Sequence, residues 1–323
     1  MIEVREPMEA RQEAQLPVGP GWWFEPKWDG FRCLAMRDQG QTRLQAKSGK
    51  PLSRFFPDVL ESLGALGARR FVIDGELLIG DGERYSFESL QMRLHPAESR
   101  IRRLARETPA SFVLFDMLFS PAGKDLRPLP LKARHAALEA LVGSAALERL
   151  SISPGTEDRE LALSWLSDWR LEGVVAKRLD GPYLEGQRAM VKVKRRRTAD
   201  CVVGGFRYAS AGRLVGSLLL GLYDEAGRLN HIGFTSGLAA AEKPALTARL
   251  EALADGPGFT GDKPGGPSRW STERSVQWTP VRPELVVEVG FDHVSGGRLR
   301  HGARLIRFRP DKAPGQCRMD QIA

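Results

Sequence analysis

Three apolar runs in this 323-residue chain carry acids where a buried strand should carry none. Phe71 to Ile79 is apolar and β-branched on both sides of Asp74 and Glu76, Phe112 to Phe119 encloses Asp116, and Glu172 stands at the edge of Gly173 to Lys177. Runs of this length and composition read as buried strands. A carboxylate removed from water is unstable there unless a cation or a metal meets it. Asp74 and Glu76 on such a strand therefore need a reason. Asp74 and Glu76, two residues apart, share one face. A hairpin turn at Asp74-Gly75 is the other reading, since Asp-Gly pairs commonly make one.

Candidate cations flank these runs. In Met190 to Arg197, alternation puts Lys192 and Lys194 on one face and Val191 and Val193 on the other. Two lysines on one face repel unless an anion sits there; the alternative is an exposed basic edge strand that discourages aggregation. The stretch Glu25-Pro26-Lys27-Trp28-Asp29-Gly30-Phe31-Arg32 offers a candidate nucleophile in Lys27. A lysine amine attacks only when deprotonated, which near neutral pH takes cationic neighbours, desolvation or a metal. Arg32, Lys192 and Lys194 are candidate neighbours; Trp22, Trp23, Phe24, Trp28 and Phe31 are a candidate low-dielectric wall. Gly30 would let backbone approach a nucleotide. A solvated surface lysine between two short strands is the alternative.

The chain is long for one core and fits two domains. Residues 1–20 read as a polar, proline-bearing lead-in, with no separate domain before Lys27. Residues 22–44 read as two strands, with Phe31, Cys33 and Ala35 on one face and a turn at Gln39-Gly40, followed by a lysine-bearing loop over 45–51. Helices are expected over 56–66, 87–106, 132–141 and 160–170, the second presenting a solvated arginine face. After Arg197 come short strands split by glycine turns, at 201–206, 216–223, 229–234, 285–291 and 303–309, with one helix near 243–253. Such a set predicts a small β-barrel of the oligonucleotide-binding type. The boundary is expected at 197–200, with a hinge over 196–199.

A net charge of +8 suits a polyanionic partner or plain solubility. Cys33, Cys201 and Cys317 are odd in number and far apart, which suits a reducing cytosol and excludes a four-cysteine zinc site. Neither a signal-like apolar core nor a run of about 20 apolar residues occurs, so the chain is expected in the cytoplasm. The Walker-type phosphate loop is absent from the sequence.

The order of these segments resembles the motif series of the covalent nucleotidyltransferases: Lys27 to Arg32, Asp74 to Leu77, Phe115-Asp116, Glu172 to Lys177, Val191 to Lys194, and Arg307 to Lys312. The chain is most similar to the ATP-dependent DNA ligases, in particular short bacterial enzymes of repair and end joining. The resemblance implies an α+β fold, with an ATP-grasp-like adenylation (nucleotidyltransferase) domain over 1–198 and an OB-fold β-barrel over 199–323. It implies ATP and a divalent metal, Mg²⁺ or Mn²⁺, as cofactors. Its partners would be nicked or broken duplex DNA and DNA-repair proteins, and it would act as a monomer without a membrane in DNA repair and recombination.

By the same resemblance, Lys27 attacks the ATP α-phosphate to give a lysyl-AMP. Glu25, Arg32, Lys47, Glu76, Phe115, Lys192 and Lys194 bind the nucleotide: Glu76 on the ribose, Phe115 on adenine, and Lys192 and Lys194 on the α-phosphate. Glu172 and Glu76 take the metal, and Arg304, Arg307, Arg309, Asp311 and Lys312 form a closing motif over ATP. Lys47 stands where the family has arginine, keeping the charge but losing the fork. The additional N-terminal DNA-binding domain of larger ligases is expected to be missing, which implies modest affinity for nicks. RNA ligases, capping guanylyltransferases and non-catalytic nucleic-acid-binding proteins are the rival readings.

Overall fold

The computed structural model describes residues 6–80, 85–143, 148–168, 170–195, 197–210, 212–265 and 277–322. The chain divides into two compact units, Met1–Arg195 and Arg196–Ala323.

The described residues of the first unit form nine strands: β1 (Ala10–Gln12), β2 (Trp22–Lys27), β3 (Phe31–Asp38), β4 (Gln41–Ala46), β5 (Phe71–Ile79), β6 (Ala110–Phe119), β7 (Leu150–Ile152), β8 (Gly173–Arg178) and β9 (Met190–Lys194). They also form five α-helices: α1 (Pro57–Gly64), α2 (Phe87–Arg93), α3 (Glu98–Glu107), α4 (Leu131–Val142) and α5 (Arg159–Trp165). The strands make two sheets, ordered β1-β9-β8-β2 and β4-β3-β5-β6-β7. On β3, Cys33 and Ala35 pack with Ile73 and Leu77 of β5 and with Val59, Leu63 and Leu138 from α1 and α4. The alternate residues Leu34 and Met36, with Val72 and Leu118, meet Met8, Tyr183 and Met190. Continuing along that same face, β3 and β5 present Arg32 and Glu76, paired in register. Polar side chains cannot extend the apolar layer, and a cavity opens there.

Several expectations are corrected. The lead-in is structural: anchored by buried Met8 and Leu16, it supplies β1, which runs parallel to Met190–Lys192. β9 is therefore an interior strand, not an exposed edge. Residues 22–44 contain three strands instead of two. Asp74-Gly75 lies inside β5 and makes no turn; a Cβ on Gly75 would come within 2.6 Å of the Phe112 ring and the Val113 carbonyl oxygen. The helix expected over 87–106 is split by a break containing Pro96 into α2 and α3. Arg93 on α2 is fully buried, forked onto Asp58 at 2.6 and 3.2 Å, instead of solvated. α5 ends at Trp165, short of 170.

In the second unit the described residues form β10 (Arg197–Tyr208), β11 (Val215–Tyr223), β12 (Leu229–Thr235), α6 (Lys243–Glu251), β13 (Thr279–Pro280), β14 (Val286–Phe291), β15 (Val294–Ser295), β16 (Arg298–Leu299) and β17 (Arg304–Phe308). The sheet runs β12-β11-β10-β14-β17, with β13 on β10. A parallel bridge from Thr235 to Ala303 joins its two ends. Five strands closed in this order, with α6 between β12 and β14, make an OB-fold barrel around an interior that includes Val203, Leu220, Val287 and Phe259. β10 is already paired at Arg197, opposite Phe291. The hinge expected over 196–199 is thus strand from Arg197 onward, and Arg196 lies outside the described residues.

Candidate active site

Strand register assembles the site. Lys27, the last residue of β2, pairs with Gly173 of β8, and Gly173 pairs with Lys194 of β9. The Glu172 amide donates to the Lys27 carbonyl at 2.9 Å. Three neighbouring strands therefore set Lys27, Glu172 and Lys194 side by side: Lys27 Nζ is ion-paired with Glu172 Oε2, and Lys194 Nζ lies 3.0 Å from Glu172 Oε1. The Lys192 ammonium is held below the usual lysine range by burial first, then by Lys27 and Lys194.

Two residues back along β2, buried Glu25 meets Lys177 Nζ at 2.7 Å, His135 Nε2 at 3.3 Å and Trp23 Nε1 at 3.1 Å. Burial opposes the Glu25 charge, but Lys177 and His135 outweigh it and hold the carboxyl below its usual range. Lys177 Nζ also stands 4.6 Å from the Phe115 ring centroid, and the Arg32 guanidinium 4.8 Å. Arg32 forks onto Asp74 at 2.7 and 2.6 Å. Half-buried Glu76 has a pKa raised to about 7, by burial first and further by Asp74 and Glu172, against the pull of Lys27 and Arg32.

A cavity of about 200 Å³ brings together Glu25, Lys27, Arg32, Lys47, Glu76, Phe115 and Lys192. Glu172 joins it through Lys27, and Lys194 through Glu172. Lys47 is paired with Glu9 at 2.8 Å. Sequence reasoning missed Val175, Lys177, Met190 and the wall formed by Pro7 to Ala10. Lys177 had a signal: a buried Glu25 on a strand face needs a cation. The wall had none, because pairing of β1 with β9 joins residues some 180 positions apart.

The aromatic wall is also corrected. Of its five residues only Trp28 lines the cavity. Trp22 and Phe24 pack with Val174 and Val191, Trp23 sits edge-on to His135, and Phe31 packs against Phe56 and Phe87. Gly30 serves protein backbone instead of nucleotide, since a Cβ there would lie 2.2 Å from the Leu77 carbonyl oxygen.

The carboxylates of Glu172, ion-paired with Lys27, and of Glu76, on the cavity that Lys27 lines, are hard oxygen donors of the type Mg²⁺ and Mn²⁺ take. In the second unit Arg309 Nη1 lies 2.9 Å from Asp200 and Lys312 Nζ 2.6 Å from it. Arg309 also meets Asp311 at 2.9 Å, Arg307 meets Glu288 at 2.7 Å, and Arg304 is exposed on β17.

Residues 6–194 match the family model described as ATP dependent DNA ligase domain, and residues 211–312 the ATP dependent DNA ligase C terminal region. The chain belongs to the ATP-dependent DNA ligase family. The ligase is 41% identical to DNA ligase C1 of Mycolicibacterium smegmatis, over 98% of this chain and 93% of that protein. It is 40% identical to DNA ligase C of Mycobacterium tuberculosis, with the same two coverages. In fold it is similar to a structure of a Lig E DNA ligase, with a TM-score of 0.57 at 18% identity, covering 94% of the ligase and all of that chain. No helix among the described residues of the ligase is long and apolar enough to cross a membrane.

Proposed function

We propose that this ligase uses Lys27 to take AMP from ATP and hand it to the 5′-phosphate at a nick or break in duplex DNA. A bond forms from Lys27 Nζ to the α-phosphorus as the bond to the pyrophosphate oxygen breaks, and the amine loses a proton to solvent. A DNA 5′-phosphate oxygen then displaces the lysine, and a 3′-hydroxyl displaces AMP to close the phosphodiester. Phosphoryl transfer of this kind is mostly positioning and charge neutralisation. Phe115 supplies the adenine platform, Glu25 and Arg32 the polar contacts around it, and Glu76 the ribose contact. Lys192 and Lys194 neutralise the α-phosphate, and Lys47 adds charge at the rim. Divalent metal held by Glu172 and Glu76 supplies further charge neutralisation at the phosphate oxygens when bound. Arg304, Arg307, Arg309, Asp311 and Lys312 serve the first step. The enzyme is read as a cytoplasmic monomer working with other DNA-repair proteins.

The register that sets Lys27 beside Glu172 and Lys194, on a cavity shared with Phe115, carries this reading. Incubation with α-labelled ATP and metal, then denaturing electrophoresis, tests it. Label should stay on the protein, be released by acid, and map to Lys27 by mass spectrometry; label on another residue refutes the assignment. Faster sealing of a nicked RNA than of a nicked DNA duplex would favour the RNA-ligase reading.

A further inference from the structure

We infer that Tyr183 is a positioning residue of the nucleotide pocket: its hydroxyl holds Asp74, and through it the Arg32 fork, while seating the N-terminal segment as the pocket's wall. Tyr183 lies outside every motif above, between β8 and β9, and is only 4% exposed. Its hydroxyl is used in both directions, donating to Asp74 Oδ2 at 2.6 Å and accepting the Met8 amide at 2.9 Å. Burial first, then Asp74, raise the phenol well above its ordinary range, so it remains a donor. The surrounding layer of Leu34, Met36, Val72 and Met190 is apolar. A hydroxyl placed there demands partners, and it has two.

The consequence falls on Arg32. Asp74 takes Nε and Nη2 of the guanidinium at 2.7 and 2.6 Å, and Nη2 also donates to the Met8 carbonyl at 3.1 Å. Nη1 has no hydrogen-bond partner among the described residues, although Arg32 lines the cavity. A guanidinium gripped along one edge is aimed along the other, toward a ligand anion or hydroxyl. Met8 is thereby held at both its amide and its carbonyl, and the Leu184 amide meets its sulfur at 3.3 Å. Removing the Tyr183 hydroxyl takes away one of the two hydrogen bonds to Asp74 Oδ2, leaving Arg32 Nη2 as its partner, and deprives the Met8 amide of its acceptor, so the fork and the wall loosen as a unit.

This inference rests on the cavity's taking ATP. The test measures, in single-turnover self-adenylation of the full chain, the half-saturating ATP concentration (here KM) and the limiting rate (here kcat) for wild type, Tyr183→Phe, Arg32→Lys and the double variant. Tyr183→Phe should raise KM roughly tenfold with kcat within about twofold, and should add little to the KM of Arg32→Lys, because contacting residues in one network are not additive. An unchanged KM, with any loss confined to kcat or to the urea midpoint, overturns the inference, as does a fully additive KM penalty in the double variant. If Tyr183→Phe does not fold, Asp74→Asn stands in: it keeps the side-chain shape and removes the charge that grips Arg32, so KM should rise similarly, and a wild-type KM overturns the inference. Wild-type protein that never forms an adenylate sinks the reading of the cavity itself. Normal adenylation with Tyr183→Phe indistinguishable from wild type sinks only the role given to Tyr183.

Discussion

Lys27 and Glu172 form an ion pair, and Lys194 holds the second oxygen of the same carboxylate at 3.0 Å. Truncating Lys27 thus leaves Glu172 with a cation. Lys27→Ala should abolish the covalent adenylate while shifting unfolding free energy by no more than about 1 kcal/mol, the scale of a partly exposed pair. Electrophoresis with labelled ATP and a urea titration check the two halves. A labelled band persisting in Lys27→Ala moves the nucleophile elsewhere.

Glu172→Ala removes the carboxylate that Lys27 and Lys194 share and one of the two proposed metal donors. Self-adenylation should slow on the order of a hundredfold, and raising Mn²⁺ should recover part of the loss. Rates measured across a metal series decide this. A wild-type rate at every concentration takes Glu172 out of the metal site.

Phe115 is 8% exposed and lines the cavity, with Lys177 and Arg32 over its ring. If adenine stacks on it, Phe115→Ala should weaken ATP binding by about 1–3 kcal/mol, the range for base–aromatic stacking. Rate against ATP concentration reads this as a raised KM. An unchanged KM would place the base on another surface.

Glu76 gives a pH prediction. Its folded pKa of about 7 lies above the ordinary 4.5, so the folded state binds this proton more tightly than the unfolded chain. The stability it contributes is fully present below about pH 4.5 and is lost as pH rises through 7. Glu76→Gln cannot ionise. Without nucleotide or metal, its urea midpoint should gain on wild type between pH 5 and pH 8, and a constant difference between the two proteins would contradict the shift.

Arg309 and Lys312 share Asp200 within the barrel unit. If the closing motif serves pyrophosphate departure, Arg309→Ala should slow self-adenylation, and removal of residues 303–323 should suppress it. Arg309→Ala loaded with AMP beforehand should still seal an adenylated nick. Both steps need one low salt concentration, because weakened DNA binding otherwise mimics lost chemistry. Normal self-adenylation with failed sealing would make β17 a DNA-contacting surface instead.

Local pattern was enough to reveal the strands that line the candidate site. The alternation in Met190 to Lys194, the acids inside Phe71 to Ile79 and the run after Glu172 each state a face or a conflict that a strand has to resolve, because strand periodicity is written in consecutive residues. The five barrel strands were legible for the same reason. Helix ends were less so: Arg93 looked like part of a solvated basic face until Asp58, thirty-five residues away, took its guanidinium.

What the tertiary structure alone decided is which charge meets which. Asp74 and Glu76 share a face, yet Asp74 is spent on Arg32 and Tyr183 while Glu76 opens to the cavity. Pro7 to Ala10 became pocket wall because the lead-in pairs with β9, and Lys177 found Glu25 across the register of β2 and β8. Pairings between residues more than a hundred positions apart leave no periodic trace in the sequence. They follow from the cost of leaving a buried charge or a buried amide without a partner, and that cost is settled only when the sheets come together.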